Sequence, residues 1–415
     1  MAIPRFSPLS VQPAPGLSDE INDIRQRTAD ILVQHVIPNE GLLLSRDDPE
    51  RRNALVQELQ QHVRQCGLWA PHLPKAYGGM GVGFLGHAFM NEIIAWSPVA
   101  SRIFGVVAPN AGNESLLVKY GTEEQKKRWL EPLVAGELQS CFSMTEPDNP
   151  GSDPRALTTT AVRDGDEWVI NGRKWFTSNG RAADFAIVMC RTEGDGRGDA
   201  SSSRMTQIIV PTNTPGFCVE RNIPVWGHTT GDHVEITYKN VRVPIENQLG
   251  NRGSGHAAAQ DRLGAGRVYH SMNCVGHMWR SFDLMVKRMT ERKVHGGLLE
   301  SKQMMQDFVA ESYMDIQTAR LLTIRCAEKI DAGEDARTDI SAVKVYVPRV
   351  LHQVVDRAIQ VYGGIGLSSD LPLASFYLAA RTLRLADGPD EVHKILIAKN
   401  ILSHYHRGGT VDFAA

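Results

Sequence analysis

The spacing of apolar residues changes period twice along this chain, and few folds accommodate that order. Up to about residue 138 they recur at helical intervals. From there to about residue 250 they gather into short, β-branched or alternating runs, and after that the helical interval returns. A helix must bury one stripe and a strand one face or both, so the order predicts a sheet domain flanked by helical ones. We therefore expect an α+β protein with an N-terminal α-helical domain over 1–138, a middle β-barrel or sandwich domain over 139–250, and a C-terminal four-helix-bundle domain over 251–415.

Local signals fill in this outline. Ser18-Asp-Glu-Ile-Asn-Asp-Ile24 opens with a capping serine and continues near the 3.6-residue interval. Gly121 to Leu130 offers Thr122 as an N-cap, with carboxylates in the first turn and cations later, the polarity that a helix dipole favours. Pro71 to Val82 is a Gly/Pro loop between helices. Trp168 to Ile170, Phe185 to Met189, Gln207 to Val210 and Val234 to Tyr238 read as strands separated by turn residues. The polar stretch Gly194 to Ser203 reads as a solvated loop between two of them. Residues 255–290, 302–332, 338–362 and 391–404 carry long helical patterns, as an antiparallel bundle requires.

Composition narrows the function classes. The 415 residues are 42% hydrophobic and 22% charged, with a net charge of -2, so nothing draws the chain to nucleic acid or to an anionic membrane. No apolar run nears the roughly 18 residues of a membrane span. The opening Met1 to Phe6 lacks the charged and apolar regions of a signal peptide, and the closing Val411 to Ala415 is not a peroxisomal address. Cys66, Cys141, Cys190, Cys218, Cys274 and Cys326 are scattered without a Cys-x-x-Cys pair, which fits reduced thiols. The expected compartment is cytoplasmic, with an organellar matrix as the alternative. His228, His233 and His393 lack ligand spacing, so no metal is expected. Gly250 to Gly255 does not have the spacing of a Rossmann phosphate loop.

The most informative stretch for chemistry is Cys141 to Asp184. It contains Phe142-Ser-Met-Thr-Glu-Pro147, then Gly151-Ser-Asp153, then Trp168-Val-Ile-Asn-Gly172 and Lys174-Trp-Phe-Thr-Ser-Asn-Gly180. Small hydroxyl residues and a Trp at strand ends suit a flat aromatic cofactor, which needs a stacking wall and short hydrogen-bonding groups. The string resembles the flavin cradle of the acyl-CoA dehydrogenase family, and the likeness extends over nearly the whole chain. It implies FAD as cofactor, with Phe142, Met144 and Thr145 at the isoalloxazine edge. Thr145 would be a donor to the ring, Trp175 a stacking wall and Thr177 a partner near N5. It implies that Arg292 clamps the pyrophosphate, a task its planar fork suits, and that Gln360, Gly363 and Gly364 form the loop over the adenosine end, where glycines allow close approach to phosphate. Ser152 and Arg267 would contact the CoA substrate.

The family removes an α proton and a β hydride from an acyl-CoA. The proton is weakly acidic, so the site needs a base of raised pKa and donors for the emerging enolate. The base is expected in Leu385-Ala-Asp-Gly-Pro-Asp-Glu391, where most members resemble a Tyr-Glu-Gly-Thr pattern. Here Asp387 stands in the glutamate position and Pro389 in the threonine position, as in the branch similar to acyl-CoA dehydrogenase family members 10 and 11. The resemblance implies Asp387 as base, Gly388 beside the substrate, and Pro389 and Glu391 beside the cofactor. From the residues alone, Asp387 could instead cap the helix that starts near Pro389, and Asp390 and Glu391 could serve its first turn. Some members carry the base on the helix after Leu263-Gly-Ala-Gly-Arg267; the equivalent position is Gly266, which has no carboxylate.

The implied partners are an acyl-CoA substrate, an electron-transfer flavoprotein, and a second copy of the chain sharing FAD in a homodimer or homotetramer. Two other functions fit the same scaffold. One is a flavin oxidase of the nitroalkane-oxidase type, which also uses an aspartate. The other is a flavin-containing DNA-associated protein, against which the mixed charge of the helical tail counts.

Overall fold

A computed structural model of the chain describes residues 9–45, 47–192, 205–226 and 231–410. The stretch Gly194 to Ser203, His228 and both chain ends fall outside the described residues. The helices in order are α1 (Asp19–Ile31), α2 (Glu40–Leu44), α3 (Pro49–Gln65), α4 (Gly83–Ile94), α5 (Ala100–Ile103), α6 (Asn110–Tyr120), α7 (Glu123–Gln125) and α8 (Glu131–Ala135). Strands follow: β1 (Ser140–Ser143), β2 (Thr160–Asp164), β3 (Glu167–Ser178), β4 (Phe185–Thr192), β5 (Met205–Pro211), β6 (Phe217–Asn222), β7 (His233–Pro244) and β8 (Gln248–Leu249). Then come α9 (Gly255–Glu291), the hairpin of β9 (Lys293–Val294) and β10 (Gly297–Leu298), and α10 (Gln303–Asp331), α11 (Arg337–Tyr362), α12 (Leu373–Thr382) and α13 (Asp390–His406). The sheet bracketed by helices is the expected α+β architecture. The described chain divides into two compact units, one of residues 1–72, 80–105 and 266–415, the other of residues 73–79 and 106–265.

In the second unit, β1 to β8 form one sheet in the order β6-β7-β3-β2-β4-β5-β8, with β1 also on β4. β4 pairs in parallel with β1 and β2 and antiparallel with β5. Its run Phe185 to Cys190 is buried throughout, as a central strand covered on both faces must be. β3 instead alternates, with Trp168, Ile170 and Lys174 inward. Its register against β7 slips between Lys174↔Ile236 and Thr177↔Val234, a bulge with one extra residue. The expected cap at Thr122 is present and belongs to a capping box with Gln125.

In the first unit, α11 packs on α10, α12 and α13. Twelve of its residues are buried, including Val343, Val347, Leu351, Val354 and Ala358, so it forms the apolar axis of the bundle. Phe376 of α12 and Met278 and Met285 of α9 close the same core. Each such side chain stabilises the fold by roughly 1.5–3 kcal/mol. Ser18 caps α1 through Ile21 N–H, as the sequence suggested. Helix α12 was not anticipated. It is short, and it ends five residues ahead of Asp387, setting where the following corner begins.

Candidate active site

Asp387 lies at the corner between α12 and α13, with φ at 57°, followed by Gly388 at 99°. Aspartate enters this left-handed region more readily than most residues, and glycine enters it freely. The corner is fixed through its carbonyls. Arg267 Nε donates to the Asp387 carbonyl at 2.9 Å, and His393 Nε2 donates to the same oxygen at 3.2 Å. His393 Nδ1 lies 3.1 Å from Ser341 Oγ and, in the neutral ring with its proton on Nε2, accepts from that hydroxyl. Burial and the nearby Arg267 push this imidazole down to about 4. The buried Lys344 of α11 donates from Nζ to the carbonyls of Leu383 and, at 3.3 Å, Gly388. Burial lowers its pKa, and the Asp387 and Asp390 carboxylates oppose that.

These bonds hold the main chain and leave the Asp387 carboxylate partly open, with the side chain 23% exposed. His270 Nε2 lies 3.4 Å from its Oδ2. A Cβ built on Gly266 would lie 3.9 Å from the same oxygen, so position 266 does face the carboxylate. The N-cap of α13 is Pro389, so Asp387 does not cap that helix. Asp390 is buried and takes Arg349 and Arg384 at 2.8 and 3.1 Å. Burial would raise its pKa, but the two guanidiniums hold it below the usual range. Its role is to anchor the helix start, while Glu391 is exposed and Pro389 half-buried.

At the far end of the same bundle, the Arg288 guanidinium sits 5.4 Å over the Tyr362 ring, so the end of α9 lies beside the end of α11. Arg292 follows α9 and is exposed; Gln360, Gly363 and Gly364 are exposed at the close of α11. A Cβ on Gly363 or Gly364 would meet nothing within 4 Å, so a ligand can approach this backbone closely.

The second unit carries the candidate cofactor wall. The bulge in β3 places two successive residues, Trp175 and Phe176, on the open side and returns Thr177 inward. Phe176 has φ at 49° and is 44% exposed, beside Trp175 at a ring separation of 5.0 Å. Thr177 is fully buried, its hydroxyl 3.2 Å from that of Ser143, which accepts from Tyr238 at 2.9 Å. The extra residue reverses the facing of the positions after it, so Thr177 lies on the covered side of the strand. Ser178, the next residue, is half-buried, with its Oγ 2.9 Å from His233 Nδ1.

Thr145 is also committed. Its hydroxyl donates to the Trp175 carbonyl at 2.8 Å, and the Trp175 N–H donates to the Thr145 carbonyl at 3.0 Å. That bond directs the hydroxyl proton to the Trp175 carbonyl. Beneath, Lys174 Nζ donates to the Met144 carbonyl at 2.7 Å and to Glu146 at 2.9 Å. Glu146 also accepts from the N–H groups of Thr158 and Thr159. Burial would raise its pKa, but Lys174 and these donors bring it to about 2. Phe142 is half-buried with the Arg262 guanidinium 4.3 Å over its ring, and Ser152 is exposed in a turn. An open aromatic shelf with a hydroxyl at its edge fits a planar, polar-rimmed ring such as isoalloxazine. Among the described residues no group of three or more His, Cys, Asp or Glu could hold a metal ion.

Comparison with known proteins agrees with this layout. Three family models match, described as the acyl-CoA dehydrogenase N-terminal domain over 18–137, middle domain over 141–241 and C-terminal domain over 253–402. The chain is 40% identical over 404 residues to the probable acyl-CoA dehydrogenase FadE2 of Mycobacterium tuberculosis, covering 94% of this chain and 97% of that one. It is 37% identical over 394 residues to acyl-CoA dehydrogenase family member 11 of Gallus gallus, covering 91% of this chain but 50% of that longer protein. A solved structure of a putative acyl-CoA dehydrogenase from Mycobacterium abscessus superposes with a TM-score of 0.87 at 34% identity, covering 94% and 99% of the two chains. A glutaryl-CoA dehydrogenase from Mycobacterium smegmatis, solved in complex with FADH2, has a TM-score of 0.80 at 25% identity, covering 93% and 95%. Three matched domains and these relatives establish that the chain belongs to the acyl-CoA dehydrogenase family of FAD-dependent oxidoreductases.

Proposed function

We propose that this chain dehydrogenates an acyl-CoA thioester between the α and β carbons, giving the trans-2-enoyl-CoA. The observation that carries the reading is the Asp387 corner, a carboxylate left open on a main chain pinned by Arg267, His393 and Lys344. Asp387 takes the α proton, and its N–H, with Gly388 beside it, faces the thioester oxygen where enolate charge gathers. Bound FAD supplies the acceptor for the β hydride. Trp175 and Phe176 present the wall for its ring, with Phe142, Met144 and Thr145 along the edge. Ser178, held by His233 at 2.9 Å, is assigned in our reading the role near N5 that the resemblance gave to Thr177. Arg292, Gln360, Gly363 and Gly364 take the pyrophosphate and adenosine end, Pro389 and Glu391 lie on the cofactor side of the corner, and Ser152 and Arg267 contact CoA.

The assembly is a homodimer or homotetramer, and the electron acceptor is an electron-transfer flavoprotein. Exposed Met304, Tyr313, Met314 and Leu321 on α10 and Leu402 on α13 support association, because apolar side chains left in water mark interfaces. No described helix is long and apolar enough to cross a membrane.

The test is an anaerobic titration with acyl-CoAs of graded chain length. The expected result is bleaching of the flavin absorbance, reversed by an electron-transfer flavoprotein, with little peroxide formed in air. Rapid peroxide formation with a nitroalkane and no response to any CoA ester would replace this reading with the oxidase.

A further inference from the structure

Arg267, His393 and Lys344 act on the carbonyls of the corner, so they fix where the main chain runs. They leave the torsion of the Asp387 side chain to be set by whatever meets its carboxylate. His270 stands there, Nε2 to Oδ2 at 3.4 Å. Gly266 and His270 are four residues apart on α9 and so share one helix face. Because Gly266 has no side chain, the carboxylate lies over bare helix at that point, and the imidazole one turn on reaches it.

Resting on the proposed role of Asp387 as base, we propose that His270 is a positioning residue for it. Its imidazole holds the carboxylate in one orientation and, by gaining or losing a proton, sets how strongly that carboxylate draws the substrate's α proton. A protonated His270 forms an ion pair with Asp387 and weakens it as a base; a neutral ring donates a hydrogen bond and leaves the basicity higher. Among the described residues, the other charged or titratable groups that interact with Asp387 are Arg267 on the same helix, Lys344 on α11 and His393 on α13. Burial lowers the pKa of Arg267 and of Lys344 while the Asp387 carboxylate opposes that, and His393 is pushed down to about 4. Among these groups an imidazole in contact with the carboxylate is the one whose charge a histidine ordinarily changes between pH 5 and 8, which makes His270 the candidate.

The test compares wild type, His270→Gln and His270→Leu in anaerobic flavin reduction by an acyl-CoA across pH. In wild type the rate should climb through the ordinary histidine range near about 6.5. His270→Gln, which can still donate but cannot titrate, should flatten that climb and keep the plateau within about threefold, whereas His270→Leu should slow reduction about tenfold or more at every pH. A second readout needs no turnover. The rate of diethyl pyrocarbonate modification at His270, followed by peptide mass spectrometry against pH, gives its titration in wild type and in Asp387→Asn. Coupling is reciprocal, so loss of the carboxylate should move the His270 titration to lower pH. An unchanged pH profile in both His270 variants, or superimposable His270 titrations in wild type and Asp387→Asn, would overturn the proposal. Retained turnover in Asp387→Asn would instead remove the assignment of the base, while the titration still reports the pairing of the two side chains.

Discussion

The β3 bulge and the corner before α13 use charge in opposite ways. Under the bulge, Lys174 and Glu146 are sealed, with side-chain exposures of 0% and 2%, and the groups left open are aromatic. At the corner the open group is the Asp387 carboxylate, while Arg267 and Lys344 bond backbone carbonyls and Arg349 and Arg384 bond Asp390. The first arrangement makes a rigid shelf that binds without reacting. The second fixes the main chain while leaving one side chain accessible to a substrate proton. The contrast separates what holds a ligand from what acts on it.

The largest expected effect is at the reacting group. Asp387→Asn should lower kcat by about 10³-fold or more while flavin content and melting temperature stay close to wild type, because a positioned base contributes at least that order and the corner is held by carbonyls rather than by this carboxylate. The shelf should respond the other way. Glu146→Ala leaves a buried ammonium unpaired and should lower the free energy of unfolding by about 3–5 kcal/mol, read from urea denaturation. Adding Lys174→Met should recover most of it, since the cost lies in the unmatched charge. If Glu146→Ala instead unfolds like wild type, the shelf is not built on that pair.

A smaller effect sharpens the register of β3. Ser178→Ala should slow flavin reduction by about tenfold, whereas Thr177→Val should leave reduction unchanged and cost about 1 kcal/mol of stability through the lost Ser143 contact. The reverse pattern would return Thr177 to the ring. The smallest effects are in acid. His393 is held neutral at about 4 against about 6.5 in the unfolded chain, so stability is full above the higher value and declines as pH falls through the window between them. Glu146 is depressed to about 2 against about 4.3 unfolded, so its contribution is present above about 4.3 and is lost as pH falls toward 2. Urea midpoints against pH should show the upper window flattened in His393→Gln and the lower one flattened in the Glu146→Ala/Lys174→Met pair.

The sequence carried the long-range plan well, because long helices with capped ends announce themselves. Ser18 and Thr122 cap where their side chains suggested, and the four long patterns after residue 255 all became helices. The Asp387 corner was legible too, since Asp-Gly-Pro has few conformations open to it. What stayed hidden depends on facing. Trp175, Phe176, Thr177 and Ser178 could stand in either register, and a bulge is fixed by pairing with β7, which no local pattern encodes. His270 was missed because its partner is distant in the chain and a lone histidine on a helix carries no spacing signal. Lys174 and Lys344 were invisible as buried groups for the same reason: their partners, Glu146 and the Met144 carbonyl for the one and the carbonyls of Leu383 and Gly388 for the other, are distant in the chain.

The most direct measurement is exchange of the substrate's α hydrogens with D2O, followed by NMR of an acyl-CoA bound to the oxidised protein in the absence of any electron acceptor. Wild type should exchange them, and Asp387→Asn, still yellow and still binding the thioester, should not. Exchange at the wild-type rate in Asp387→Asn would place the base elsewhere and contradict the account.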